Sequence, residues 1–419
     1  MEEQSHQALI TNDAVILGIL MLILAWVFKT SAAKEGFWKK FYGIVPAILV
    51  CYFLPGLLNT LGVIDGEGSQ LYFVSSRYLL PASLVLFTIS IDLREVVRLG
   101  FKAVAMFLTA TVGIIIGGPL AILIVSFFAP EVVGGQGPDE VWRGLATIAG
   151  SWIGGGANQT AMKEVFGASD DLFSKTIAVD VIVANIWMGF LLFGAGRSNT
   201  IDRWFKADSS AIDHLKEKME AFQASVRKIP TLADTMLVLG LAFGFVGLSH
   251  FLADLVAPFV EENYPGLEKY SLTSKFFWLV VFATTFGVVS SFNSRMRALE
   301  GVGASRLASV LLYVLVASVG MHMNLLAIFE NPGLFLVGII WMIVHVGLLL
   351  LVGWLIKAPF FFIAVGSQAN VGGAASAPVV AAAFHPSLAS VGVLLAVLGY
   401  ALGTYGAWLC GLLMQMASN

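Results

Sequence analysis

Two glycine-rich segments carry the groups best suited to holding a small solute. They are Gly154-Gly155-Gly156-Ala157-Asn158-Gln159-Thr160, within residues 144–166, and Gly366-Ser367-Gln368-Ala369-Asn370-Val371-Gly372-Gly373, within residues 358–384. Each sets flexible glycines beside amide and hydroxyl groups in an otherwise apolar stretch. An unsatisfied backbone amide in hydrocarbon costs several kcal/mol, so a helix broken at membrane depth must be buried in protein or line a wet cavity. Such a tip offers helix N-termini to an anion and carbonyl oxygens to a cation. One glycine patch alone is explained by close helix packing. Two patches with Asn and Gln in matching places point to binding, and they make Gly155, Gly156, Gly372 and Gly373 candidate contacts along with the amides.

Asp180 lies inside the apolar run TIAVDVIVANIWMGF, with Asn185 five residues later. An ionisable group within a span is a functional candidate, because its charge in hydrocarbon needs a partner. Its roles are sodium ligand, proton acceptor or partner of a basic solute group; the plain alternative is a structural hydrogen bond near the interface. A sodium ion would draw on Asn158, Asp180 and Asn370. Arg77 sits near the start of a span, where snorkelling to the outer interface accounts for it. His322 and His345 have no metal-site spacing around them and read as satisfied polar residues. Trp152 reads as an anchor or packing residue, and Gly113-Gly117 and Gly240-Gly244 as helix contact faces.

The elements that must position these groups are apolar helices. The chain has 419 residues, 58% hydrophobic and 12% charged, with a mean hydropathy of +0.85. Soluble domains carry roughly 25% charged residues, so lipid is the main solvent here. Apolar stretches cover 13–28, 41–61, 72–91, 103–128, 174–196, 233–253, 275–293, 307–324, 334–356 and 387–415, which gives about ten crossings. The acidic start lacks the basic region and cleavage site of a signal peptide. The net charge of −3 gives no argument for nucleic acid as a partner. Cys51 and Cys410 fall in apolar runs and say nothing of redox compartment.

Lysine and arginine placement decides whether the two interrupted segments cross or turn back. If both are re-entrant and the N-terminus is external, 18 of the 24 basic residues fall on the cytoplasmic side. If both cross, the basic link at 197–232 is forced outside. The re-entrant reading gives a first repeat at 1–196, a cytoplasmic linker at 197–232 with a helix from Ser209 to Val226, and a second repeat at 233–419. Each repeat holds five crossings and one hairpin or broken helix, and the two are inverted. Asp92 and Asn324 close matching spans in the two halves.

The segments GSWIGGGANQTAMKEVFG and GSQANVGGAASAPVVAAAF resemble those of the YjcL-like integral membrane proteins, over nearly the whole chain. More distantly, the paired hairpins are similar to those of sodium-coupled glutamate and citrate symporters and bile-acid-type symporters. That resemblance implies a homodimer with a fixed scaffold and a mobile transport part, working as an elevator. Its implied solute contacts are Ser151, Asn158, Gln159 and Thr160 on the first hairpin and Ser367, Gln368 and Asn370 on the second. The glutamate symporters usually carry a histidine after the glycines; Asn158 and Gln159 stand here instead.

The expected protein is thus an all-α polytopic membrane protein of the plasma membrane, the inner membrane of a bacterium, with both termini external. It is a cation-coupled secondary transporter, with sodium preferred to a proton, of a small anionic or zwitterionic solute: an amino acid, a short or cell-wall-derived peptide, or a carboxylate. No cofactor beyond sodium is expected, and its partners are solute, lipid and a second copy. An enzyme is not expected, since GxSxG, HExxH and paired intramembrane carboxylates are absent from the sequence. The rivals are an intramembrane enzyme acting on lipid or peptide, and a passive channel.

Overall fold

The computed structural model describes residues 8–418 apart from 43–44, 46, 67, 92, 208–211, 213–229, 323–330 and 386–387. Among these the chain is helical, with an isolated bridge between Ile10 and Ile64 as its one β-type pairing. The long helices are α1 (Asp13–Ser31), α2 (Ala47–Thr60), α3 (Leu71–Ile89), α4 (Phe101–Phe128), α5 (Val141–Phe166), α6 (Asp170–Ala195), α7 (Leu232–Asn263), α8 (Lys275–Ser291), α9 (Ala304–Gly320), α10 (Gly333–Leu355), α11 (Phe360–Val371), α12 (Gly373–Phe384) and α13 (Ala389–Ser418). Seven of them are long and apolar enough to cross a membrane, or up to 9 if two bent pairs each count as one span. This is a membrane protein. The count falls below ten because α2 has 14 residues and α8 and α9 have 17 each, about 20–25 Å at 1.5 Å per residue, against a hydrocarbon core of roughly 30 Å.

Local chemistry sets the helix starts. Asn12 caps α1, Ser169 caps α6 and Ser274 caps α8, each through its side-chain oxygen. Thr231 and Asp234 form a reciprocal capping box at α7. Within α3, a π-helical turn at Ser75–Leu79 precedes Pro81, which supplies no N–H to the helix. The helix expected at 209–226 and the matching residues Asp92 and Asn324 lie outside the described residues; a short helix, Ser198–Phe205, leads into the link.

The helices pack as two groups. One holds α1, α2 and α3 with α7, α8 and α9; the other holds α4, α5 and α6 with α10, α11, α12 and α13. Pairings recur in kind: α2 packs on α9 as α8 packs on α3, and α5 lies against α13 as α6 lies against α11 and α12. In the second group α4 and α10 approach closely because a Cβ at Gly113 would meet the His345 backbone, 3.2 Å away, and one at Gly117 would meet Trp341. The other expected contact face stays open: nothing lies within 4 Å of a Cβ at Gly240 or Gly244.

Candidate functional site

The first interrupted segment doubles back on itself. At Gly155 the backbone takes φ 74°, ψ −176°, a conformation essentially reserved for glycine. A straight helix of 26 residues would separate its ends by roughly 39 Å. Instead the rings of Trp142 and Phe166 stand 5.5 Å apart, and Arg143 donates to the Phe166 carbonyl. The second segment breaks at Gly372 and Gly373, the latter at φ 56°. Phe361 and Phe384, near its two ends, are 5.2 Å apart, and Gln368 Nε2 donates across the break to Ser376 Oγ at 2.7 Å. Both segments are hairpins.

Their bases lie at opposite ends of the bundle. Glu164, near the base of the first, pairs with Arg77 in the early part of α3. At the start of α4, Lys102 Nζ donates to the Lys357 carbonyl at the base of the second, at 2.9 Å. The tips meet along α13: a Cβ on Gly399 would stand 2.7 Å from the Ile153 carbonyl of the first hairpin and 3.5 Å from the Ala369 carbonyl of the second. Tyr400, stacked on Phe87 at 4.0 Å, faces Gly155 with its ring and reaches the Ala374 backbone with its hydroxyl.

At the first tip the polar groups are engaged within the protein. Asn158 is fully buried; its Nδ2 donates to the carbonyls of Gly154 (3.0 Å) and Tyr400 (3.2 Å), and its Oδ1 accepts from Thr404 Oγ1 at 2.7 Å. Thr160 Oγ1 donates to the Gly156 carbonyl. Asp180 is buried beside both arms: Trp152 Nε1 donates to its Oδ1 at 2.6 Å and Gln159 Nε2 to its Oδ2 at 2.8 Å, with the Ser151 hydroxyl alongside. Trp152 is therefore a hydrogen-bond donor to the candidate carboxylate as well as a packing residue. Asn185 spends its amide on its own helix, at the Val181 carbonyl.

At the second tip Asn370 is likewise saturated, by the Phe107 and Gly366 carbonyls and by Thr111 Oγ1. Ser367 Oγ meets Trp187 Nε1 and His345 Nε2, each at 2.8 Å, while His345 Nδ1 faces the Ala110 carbonyl. His345 is thus satisfied, and what satisfies it is a hairpin serine. Gln368 differs: its Oε1 is buried without a hydrogen-bond partner. The three residues expected to share a sodium ion have different neighbours: Asn158 faces α13, Asp180 the arms of the first hairpin and Asn370 α4. Among the described residues no group of three or more His, Cys, Asp or Glu side chains is placed to hold a metal ion.

Sequence reasoning missed a charged cluster at the base of the first hairpin. Lys163 is buried, with Nζ 2.6 Å from Asp170 and 3.1 Å from the Tyr72 hydroxyl. Glu164 accepts from Tyr72 and pairs with Arg77 at 2.9 Å. Arg77 also lies over the Phe276 ring, 4.4 Å from its centroid. Arg77 is thus engaged by a carboxylate and an aromatic face while its side chain stays 29% exposed. The signal for Lys163 and Glu164 was the sequence MKEVFG at the end of an apolar hairpin, where charges need partners.

The base of the second hairpin is held differently. Asp202, from the short helix Ser198–Phe205, accepts from the Phe360 backbone N–H at 2.7 Å and so caps α11. Burial raises its carboxyl above the usual aspartate range, and the bond from Phe360 partly offsets this.

The family described as a protein of unknown function (DUF819) matches residues 18–417. A relative described as "Uncharacterized membrane protein YjcL", from Bacillus subtilis (strain 168), is 24% identical over 416 residues, 96% of each chain.

Proposed function

The chain belongs to that DUF819 family, and we propose that it is a cation-coupled secondary transporter of a small anionic or zwitterionic organic solute. The observation that carries this reading is the pair of hairpins, based at opposite ends of a membrane bundle with their tips together on α13 at Gly399. Polar, glycine-broken helices meeting between two helix groups suit a solute site reached alternately from either side. The recurrence of helix pairings between 1–196 and 233–419 supports two inverted repeats. The separation into two groups supports a fixed scaffold of α1, α2, α3, α7, α8 and α9, with the hairpin group moving past it as an elevator. Helices α1 and α7 are the least buried spans, which leaves their outer faces to lipid and to a second copy.

Asp180 is the coupling residue in this reading. Its hydrogen-bond donors, Trp152 and Gln159, are neutral, so its charge at membrane depth calls for a cation. Sodium is preferred because amide, hydroxyl and carbonyl oxygens surround the tips. The basic loops set the orientation, with the linker cytoplasmic and both termini external. Lys206→Cys and Glu268→Cys should then differ in labelling by an impermeant thiol reagent in intact cells, and equal labelling contradicts the topology.

The functional test is a thermal-shift screen of purified protein against a solute library, with and without sodium, since a ligand of the folded state raises its stability by mass action. A solute whose effect requires sodium, and whose uptake into proteoliposomes saturates and shows counterflow, supports the transporter. Turnover of that solute into a product would favour an enzyme, and conduction without saturation a channel.

A further inference from the structure

We propose that the tip of the second hairpin holds an amino-acid head group: a carboxylate with an N–H donor beside it, as in an amino acid or the C-terminal unit of a short peptide. This rests on the transporter reading and narrows its solute class. Two helix ends of opposite polarity meet at this tip. The 12-residue α12 begins at Gly373; the Tyr400 hydroxyl takes the Ala374 N–H, and the rest of its first turn, with the positive end of its dipole, faces the break. A Cβ on Gly373 would meet nothing within 4 Å, so there is open space beside those N–H groups. A carboxylate fits them.

The second observation is independent and concerns a donor. Gln368 lies one turn before the break and is 2% exposed. The bond from its Nε2 to Ser376 Oγ pins its amide across the first turn of α12, and Gly372 lacks the Cβ that would collide with it. Its Oε1 is left buried with nothing to accept from, a costly state for an amide oxygen unless a ligand supplies a donor. The C-terminal end of α11, negative by its dipole, faces the same gap. A simple carboxylate would leave that oxygen unpaired, and a bare cation would leave the α12 N–H groups unused. A solute carrying both an anionic and an N–H group satisfies both. The first tip offers no equivalent, since Asn158 is saturated and Gly155 is covered by the Tyr400 ring.

The test uses the purified full chain and measures thermal shifts with the standard amino acids and alanyl dipeptides, each paired with its des-amino carboxylate. At least one amino acid or dipeptide should bind tenfold or more tightly than its des-amino partner. Gln368→Met should remove that preference while leaving the weaker affinity for the carboxylate unchanged, which also shows that the variant is folded. Equal binding of both members of each pair, or a preference that survives Gln368→Met, overturns the proposal. Binding confined to dicarboxylates or other solutes lacking an N–H overturns it too, while leaving the transporter reading in place. If Gln368→Met alters sodium dependence alone, the orphan oxygen serves the cation and the head-group assignment is wrong. If no solute of any class binds or is taken up, both readings fall together.

Discussion

The two hairpins are the same device in unlike surroundings. In the first, the second arm is buried almost along its whole length, from Ala157 to Phe166. Its base is tied to α3 by Lys163, Glu164, Tyr72 and Arg77, and its tip amide is spent on α13. In the second, α12 exposes Ala375, Val379 and Ala383 along one side. Its tip keeps an unpartnered oxygen at Gln368, and Asp202 secures its base with a helix cap. A hairpin whose polar atoms already have partners gains little by binding a ligand or by moving. A hairpin with an unmet acceptor and a free face has something to gain from each. In the proposed transporter, this difference suits the first hairpin to holding and coupling and the second to solute capture.

The largest effect expected is at Asp180. Asp180→Ala strips two buried donors of a charged acceptor, at about 1.5–3 kcal/mol each, and should unfold a marginal protein. Asp180→Asn keeps an acceptor and should fold, yet lose sodium-dependent stabilisation or uptake at least tenfold. If that variant keeps the wild-type sodium and pH dependence, the first hairpin has no coupling role and the contrast with the second collapses.

The glycines at the two turns sharpen the comparison. Gly155→Ala forces a side chain into backbone reserved for glycine and against the Tyr400 ring, at about 3 kcal/mol. Gly373→Ala meets open space and only the left-handed strain of about 1 kcal/mol. Denaturant unfolding in detergent measures both, and equal losses would show that the tips are equally confined. The amides should part in the same way. Asn158→Ala leaves partners on α13 unsatisfied and should cost about 1–3 kcal/mol of stability. Gln368→Met removes an already orphaned oxygen together with the one bond from Nε2 to Ser376 Oγ, and should cost about 1 kcal/mol.

The smallest effect concerns Asp202. Asp202→Ala should cost about 1 kcal/mol through the lost cap, whereas Asp202→Asn keeps an acceptor and should be nearly neutral. The folded pKa is raised, so the folded state binds more protons than the unfolded one. Stability at this joint therefore falls as pH rises from the unfolded value of 3.8 through the folded one. Unfolding midpoints of the parent and of Asp202→Asn across acidic pH should converge as pH falls, and parallel curves would contradict the assignment.

Much of the architecture is written in local pattern. The boundaries of α1, α4 and α10 follow apolar runs of span length, and both hairpins announce themselves by glycine and amide clusters inside such runs. Asp180 stands out because a carboxylate in hydrocarbon is costly. The remainder depends on who lies next to whom. Nothing local to Asn158 indicates that Thr404 and Tyr400 will saturate it, and nothing in the motif GSQANVGG separates the saturated Asn370 from the orphaned Gln368. Trp152 reads as an anchor until its indole is seen on Asp180. The charged cluster joins α3 to a hairpin that follows some ninety residues later, a separation at which periodicity carries no information.

The docking of the first hairpin on α13 also bears on how the chain is made. Asn158 and Tyr400 are 242 residues apart. At about 5–20 residues per second, a ribosome needs roughly 10–50 s to travel that distance. Throughout that interval the hairpin's buried amides wait for a surface that has not been synthesised. Nascent chains arrested before residue 389 should therefore expose the Gly155 turn to membrane proteases or insertion chaperones, and completion of the last helix is the step that closes this window.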